Sequence, residues 1–355
     1  MPQIFDVAII GGGVAGLSIA AQISASKRVL LVEGETQLGY HSSGRSAALF
    51  SKTYGPADIR RFSRDSEDFW NTPHRLIDGQ PLLSARGALF VAGPERADDI
   101  RAHAKVIGEE FGEGVVSADE ATILNPLLRA ETLGECFYEP EAQDIDVDLL
   151  MTLYRKLAQS SDQHIQVAAK VTSLRWQHKS WSLETSAGDF EAGIIVNAAG
   201  AWADKVASLA GAVSKGLIPK RRSVGVLPLP EIGDISTAAM VIDFDERYYF
   251  KPEAGRLLIS PADTTPVEPH DAYADDDALA EACWHAEQFS SLSVTRMLST
   301  WGGLRTFAPD GNPVIEWDDD VPNFLWSAGQ GGYGIQTSPA WGGYVAAMIQ
   351  DALAG

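Results

Sequence analysis

Gly11, Gly13 and Gly16 form a G-x-G-x-x-G pattern, and Glu33 follows about twenty residues further on. In such a turn Gly11 permits the tight reversal, Gly13 lets the backbone approach a pyrophosphate, and Gly16 lets helix and strand pack closely. The helix N-terminus offers free N–H groups to the phosphates, and an acid in the place of Glu33 accepts hydrogen bonds from ribose hydroxyls. This is dinucleotide chemistry, and it does not separate NAD from FAD. Beyond Glu33, the run GETQLGYHSSGRSAA sets Ser42, Ser43, Gly44, Arg45 and Ser46 where a second phosphate contact is expected, or equally a capped helix start. Arg305 in GGLRTF and Arg222 in PKRRS have the planar fork that grips a carboxylate, although an arbitrary arginine more often joins a structural salt bridge. Near the C-terminus Gly331, Gly332 and Gly334 precede a helix-compatible run.

These residues need particular elements to hold them. The apolar, β-branched run Ile4 to Ile10, the stretch Val14 to Ser26 and the run Val29 to Val32 read as strand, helix and strand, which is the context that gives the glycine pattern its force. Ile165 to Val171 and Trp181 to Thr185 read as strands around a turn. Gly193 to Val196 reads as a buried strand ending in NAAGAW, and Ile335 to Ile349 as a helix. Two stretches differ in character: 80–140, and 220–299 with its prolines and strand-like segments Met240 to Asp243, Arg247 to Lys251 and Arg256 to Ile259. The expected architecture is α/β, a Rossmann-like body of residues 1–79, 141–219 and 300–355. A second α+β body of residues 80–140 and 220–299, built on a mainly antiparallel sheet, is inserted into it.

Composition narrows the function. At 355 residues the chain is of ordinary length for two bodies sharing an interface. With 28 Lys+Arg against 48 Asp+Glu, the net charge of −20 repels a phosphate backbone and an anionic bilayer, so nucleic acid is not an expected partner. An anionic substrate must therefore meet a local cluster of cations. Cys136 and Cys283 are too few and too far apart for a disulfide framework or a metal site. The opening MPQIFDVAIIGGG has neither a basic n-region nor an apolar run of spanning length, so the expectation is a cytoplasmic protein without a transmembrane segment. The acidic runs Asp275 to Asp277 and Asp318 to Asp320 read as solvated loops.

Taken in order, GYHSSGRSAA, NAAGAW, PKRRS, YYFKP, WGGLRTFAPDG and QGGYGIQTS make the chain resemble the D-amino-acid oxidase/dehydrogenase superfamily of FAD enzymes. The likeness runs from about Ile4 to Ile349 and is strongest to the glycine oxidase and D-arginine dehydrogenase group. It implies noncovalent FAD in the first body with its ring at the boundary with the second, and hydride transfer from a substrate α-carbon. The cofactor contacts it implies are Gly11, Gly13, Val14, Ala15, Gly16, Glu33, His41, Ser42, Ser43, Arg45, Ser46 and Ala47. It adds Val171 at the adenine, Ala199, Gly200 and Trp202 at the middle, and Gly303, Gly331, Gly332, Tyr333, Gly334 and Ile335 near the ring. Arg305 and Arg222 are implied to grip a substrate carboxylate, with Tyr249 donating its phenol, Tyr54 closing over the ring as a lid, and Gly332 supporting the reduced ring through its N–H. No residue stands out as a general base.

The chain departs from the D-arginine dehydrogenase pattern at two points. Ala88 stands where a glutamate pairs with the guanidinium, and Leu49 stands where a histidine follows RSAA. The expected substrate is a neutral or hydrophobic D-amino acid, oxidised to an imino acid that hydrolyses to a 2-oxo acid and ammonia, with Asp243 left as a possible polar contact. Oxidation of a 2-hydroxy acid or an N-methyl amino acid of the sarcosine and glycine type is the alternative, and a non-catalytic flavin-binding protein is a second. The electron acceptor, whether quinone, electron-transfer protein or oxygen, and the oligomeric state are not legible.

Overall fold

The computed structural model describes residues 3–23, 26–111, 114–160 and 163–354. Strand β1 (Gln3–Ile10), helix α1 (Val14–Gln22) and strand β2 (Val29–Val32) form the expected opening. The helix is shorter than the expected Val14 to Ser26. Ile23 turns to extended backbone at its C-cap, and residues 24 and 25 lie outside the described residues.

An eight-stranded sheet is built on this unit, in the order Val171–Gln177, Ser180–Thr185, Gly188–Asn197, β1, β2, His164–Gln166. Phe324–Ala328 joins the far half of Gly188–Asn197 in parallel and carries Val314–Trp317 at its edge. Strands covered on both faces should be apolar throughout, and the last four residues of β1 and all of β2 are buried. One face packs on α1, Val147–Ser160 and Gly334–Ala354 through Leu17, Ile19, Leu153 and Trp341. Each such side chain contributes about 1.5–3 kcal/mol on burial. The single expected strand Ile165 to Val171 is two: one ends at Gln166, and Val171 begins the next, after a turn in which Ala168 takes positive φ.

A second eight-stranded sheet runs Ser299–Phe307, Ile218–Leu227, Arg256–Ser260, Tyr249–Glu253, Met240–Asp243, Ala88–Val91, Cys136–Glu139, Gly114–Val116. It is antiparallel except where Met240–Asp243 runs parallel to Ala88–Val91. Two sheets of this kind make the α/β architecture with a mainly antiparallel partner sheet that the sequence implies. The expected division groups residues 300–307 with the first body, but Ser299–Phe307 pairs with Ile218–Leu227 through nine registered pairs of this second sheet. The Gly302-Gly303 pair obscured this strand, whose central residues Gly302 to Leu304 are all buried. A small third sheet of Leu49–Phe50, Gln143–Ile145 and Leu83–Ala85 had no clear signal in strands so short. The acidic runs are not wholly solvated: Asp275 caps the helix Asp276–Phe289, and Asp318 accepts the Trp326 indole N–H at 2.9 Å. Among the described residues no helix is long and apolar enough to cross a membrane.

The tightest point is where α1 leaves β1. A Cβ on Gly16 would lie 1.9 Å from the Gly11 carbonyl oxygen, and Gly11 itself takes φ +114°. Gly16→Ala is expected to cost about 1–3 kcal/mol or more through overpacking. Gly114→Ala, whose Cβ would meet nothing within 4 Å, is expected to stay within about 0.5 kcal/mol of the parent. Denaturant unfolding of the two variants checks the difference, and equal losses would contradict the packing argument.

Candidate functional site

A cavity of about 830 Å³ extends from the carboxyl ends of β1 and β2 to the seam between the two large sheets. At one end Glu33 accepts hydrogen bonds from the backbone N–H of Gly12 at 2.7 Å and of Glu35 at 2.8 Å. Two amides thus orient this carboxylate at the cavity wall, and no cation among the described residues pairs with it. Val171 lines the same end.

The middle is bounded by Gly11, Gly13, Val14 and Ala15 on one side and by Ala199, Gly200 and Trp202 on the other, with His41 to Ala47 beside them. Ser43 Oγ accepts the Val14 N–H at 2.9 Å, so one of the free donors at the start of α1 is already met within the protein. Ser42 donates its hydroxyl to the Leu304 carbonyl. His41 lies 3.1 Å from Glu35 and packs on Trp202 with ring centroids 4.4 Å apart.

Arg45 is more committed than its place in the sequence suggests. Its guanidinium donates to the carbonyls of Tyr40 at 3.1 Å, Ala272 at 2.9 Å and Gly302 at 3.0 Å, and pairs with Asp271. It brackets the cavity rim, joining the phosphate-side loop to the second sheet. Asp271 and Pro269 line the cavity as a result. Neither carries a local motif, and only the contact of Asp271 with Arg45 draws that loop in. Lys170, Thr172, Lys205 and Gln330 also line it and were missed; their only signal is adjacency to Val171, Trp202 and Gly331.

At the far end stand Arg222, Val224, Tyr249, Gly303 and Arg305, with Gly331, Gly332, Gly334 and Ile335. Arg222 faces Gly303 and Lys220 faces Arg305 across paired strands, so both guanidinium groups arise from one face of the second sheet. Neither has a carboxylate within 4.0 Å among the described residues, whereas Arg221, on the opposite face, pairs with Asp263 and Asp275. Arg222 Nε donates to the Asp263 carbonyl at 3.0 Å. Burial and the Arg305 charge together lower the Arg222 pKa. Gly332 passes so close that a Cβ there would be 2.9 Å from Arg305 Nη1, which leaves the guanidinium room to lie along the backbone.

Tyr249 is buried beside both cations. Burial alone would push its pKa up, but the Arg305 and Arg222 charges, with hydrogen bonds from Ser260 and Arg222, outweigh that and lower it. Tyr54 does not line the cavity; it is 39% exposed, packs on Tyr333 with centroids 4.8 Å apart, and lies close enough to Arg305 to favour the charged guanidinium. Gly16 and Tyr333 also lie off the cavity wall, the first serving the packing described above and the second backing Tyr54. Asp243 does not reach the site: it is buried and gives both carboxylate oxygens to Arg247, at 2.7 and 2.8 Å. Among the described residues no cluster of metal-ligating side chains occurs.

The depressed Tyr249 phenol can be read directly. A tyrosine ionisation is expected below the ordinary value near 10, by ultraviolet difference titration. It should vanish in Tyr249→Phe and move upward when a monocarboxylate such as benzoate neutralises the two arginines. Retention of that ionisation in Tyr249→Phe would remove the assignment.

The chain is similar to known proteins along most of its length. The family model described as "FAD dependent oxidoreductase" (DAO) matches residues 6–348. The chain is 26% identical to bovine (Bos taurus) FAD-dependent oxidoreductase domain-containing protein 1, over 99% of this chain and 82% of that protein. It is 23% identical to glycine oxidase of Geobacillus kaustophilus, over 99% and 94%. A crystal structure of glycine oxidase from Geobacillus kaustophilus superposes with a TM-score of 0.82 at 24% identity, covering 98% of this chain and 95% of that one. Rat (Rattus norvegicus) mitochondrial dimethylglycine dehydrogenase is 24% identical over 97% of this chain, which spans 43% of that protein.

Proposed function

From a chain that belongs to the DAO family of FAD-dependent oxidoreductases, we propose an enzyme that oxidises the α-carbon of a neutral or hydrophobic D-amino acid. The observation that carries this reading is the pair Arg222 and Arg305, aimed into one cavity with Tyr249 and without a carboxylate partner among the described residues. Two desolvated cations side by side favour an anion between them, and a substrate carboxylate has the bidentate geometry that guanidinium groups match.

FAD fits the donor set. Glu33 would hold the adenosine ribose, Val171 would lie at the adenine, and the turn after Gly11 with Ser42 and Ser43 would hold the pyrophosphate. Trp202 and Ala199 would flank its middle, and the turn Gly331 to Ile335 would support the ring. We assign the first sheet and its helices to the cofactor and the second sheet to the substrate. When bound, FAD accepts the hydride that leaves the substrate α-carbon. The protein's part is to hold the carboxylate with Arg222, Arg305 and Tyr249, to close Tyr54 over the site, and to keep water out while the α-carbon is aligned. The amine nitrogen forms the C=N bond as the hydride departs, and water then cleaves the imine to a 2-oxo acid and ammonia. An amine that enters already deprotonated needs no protein base, and among the described residues no histidine or carboxylate stands beside Arg222, Tyr249 and Arg305 on the cavity wall.

We base the side-chain preference on the apolar cluster around Tyr249, of which Ala47 and Val224 line the cavity with it. Val224, Met240 and Leu258 are buried against Tyr249, with Ala47, Leu49, Ile242 and Trp301 packed on them, and Ala88 is buried opposite Met240. With Asp243 spent on Arg247, a substrate guanidinium or ammonium would lie against an apolar wall at a cost of about 2–4 kcal/mol. The D configuration is supported by the likeness of PKRRS, YYFKP and QGGYGIQTS to D-amino-acid dehydrogenases. A second reading, oxidation of an N-methylated glycine, is favoured by the likeness to dimethylglycine dehydrogenase and glycine oxidase. The same carboxylate clamp serves either amine. The electron acceptor is proposed as a quinone, an electron-transfer protein or oxygen.

The test is the flavin spectrum of the purified protein under anaerobic conditions, with D-leucine, D-methionine, D-phenylalanine, D-arginine, sarcosine, dimethylglycine and 2-hydroxy acids added singly. Bleaching by the neutral D-amino acids, with D-arginine slower by about 30-fold or more, supports the main reading. Bleaching by sarcosine or dimethylglycine alone shifts it to the second, and a band untouched by every amine overturns both. Arg305→Lys should lower kcat/KM by about 100-fold, since a point charge does not replace a two-pronged donor. A loss below about threefold would show that Arg305 does not hold the substrate.

A further inference from the structure

Glu139 ends the strand Cys136–Glu139 in the second sheet, is 1% exposed, and has no cation within 4.0 Å among the described residues. A buried carboxylate in that position has to be stabilised by hydrogen-bond donors. Here all of them come from one short stretch of a distant loop. Glu139 Oε2 accepts the hydroxyls of Ser51 at 2.8 Å and Thr53 at 2.9 Å, and the N–H groups of Lys52 and Thr53 turn toward the carboxylate. Its other oxygen has no hydrogen-bond partner among the described residues, so the hydrogen bonds seen on the group come from the loop side.

The loop continues directly into Tyr54. On the far side of that residue the Gly55 carbonyl accepts from Arg60 Nη1 at 2.8 Å. Ser51 is tied a second time, through its N–H to Gln336 Oε1 at 3.1 Å, and Lys52 pairs with Glu141 at 2.6 Å and Glu67 at 3.2 Å. Tyr54 is thus the exposed side chain between two anchored stretches, its ring against Tyr333 and close enough to Arg305 to favour the charged guanidinium. We infer that Glu139 is a positioning residue: it fixes Ser51 to Thr53 from the second sheet and so aims the Tyr54 phenol at the Arg305 guanidinium, setting the affinity of the carboxylate clamp. This rests on the reading of Arg222, Arg305 and Tyr249 as that clamp.

Three variants of the FAD-loaded protein test it: Glu139→Ala, the double variant Ser51→Ala/Thr53→Val, and Glu139→Gln, whose amide oxygen can still accept both hydroxyls. Hydrogen exchange reads the tether without reference to activity. Amides 51–55 should exchange about tenfold or more faster in the first two variants, with exchange in β1 and Gly334–Ala354 unchanged, and Glu139→Gln should restore most of the protection. Unchanged exchange at 51–55 overturns the tether, whether or not the clamp binds carboxylates.

Benzoate affinity, followed through the flavin spectrum, reads the aim. Glu139→Ala should weaken it about tenfold. Adding Tyr54→Phe to Glu139→Ala should then weaken it much less than adding it to the parent, because the two residues act in series. Fully multiplicative losses in that cycle would show that Glu139 stabilises the fold without aiming Tyr54. A parent protein that binds no benzoate and is bleached by no amine would fail the clamp itself, and with it the aiming role, while the exchange result would still decide the tether.

Discussion

Two guanidinium groups on one sheet face, without a carboxylate between them, set the terms for the rest of this molecule. The pairing of Ile218–Leu227 with Ser299–Phe307 puts Arg222 and Arg305 on the same side, and burial makes their mutual repulsion felt in the lowered Arg222 pKa. A fold that holds like charges this way needs compensation. Tyr249 supplies part of it through a phenol tuned toward ionisation, Tyr54 lies close enough to favour the charged Arg305 guanidinium, the Asp263 carbonyl accepts a hydrogen bond, and Gly332 leaves the space. The remaining deficit is the attraction available to an incoming anion, in a chain whose net charge of −20 otherwise repels one.

The cofactor side of the cavity follows a different logic. Its walls are backbone, small residues and oriented amides. The Gly11 turn, the Glu33 carboxylate fixed by Gly12 and Glu35, and the glycines after Gln330 are all settled by local chain geometry. Arg45, Lys170 and Lys205 line this side, and Arg45 is spent on closing the rim. Oriented amides mark the Glu33 end, and the two neighbouring guanidinium groups mark the far end. The two ends meet where the first sheet's C-terminal strand ends lie against the second sheet's seam.

The proposed clamp and the residues around it come from different elements. Arg222 and Arg305 sit on the paired strands of the seam, whereas Met240, Ile242 and Leu49, packed around Tyr249, and Ala88, paired with Met240, come from other strands. Tyr54 follows a third element, the loop after Leu49–Phe50, which Glu139 and Gln336 hold.

Much of this was legible in the chain itself. The β1–α1–β2 opening, the glycines and Glu33 could be read because their requirements are local: steric limits on φ, helix N-terminal donors and short apolar, β-branched runs are written within a few residues. The ordered motifs likewise marked Arg222, Tyr249, Arg305 and the Gly331 to Ile335 turn, which all meet in one cavity. What the tertiary structure decided was non-local. Only strand pairing shows that residues 300–307 join the second sheet, that Arg222 and Arg221 face opposite sides, and that Arg45 is bonded to Asp271 and Ala272, more than two hundred residues away. The fate of Asp243, paired with Arg247 and turned from the pocket, and the burial of Glu139 under Ser51 and Thr53 depend on which face of a strand a partner covers. Side-chain pattern fixes the alternation along a strand, but the neighbour that meets each face is set by the packing of the whole chain.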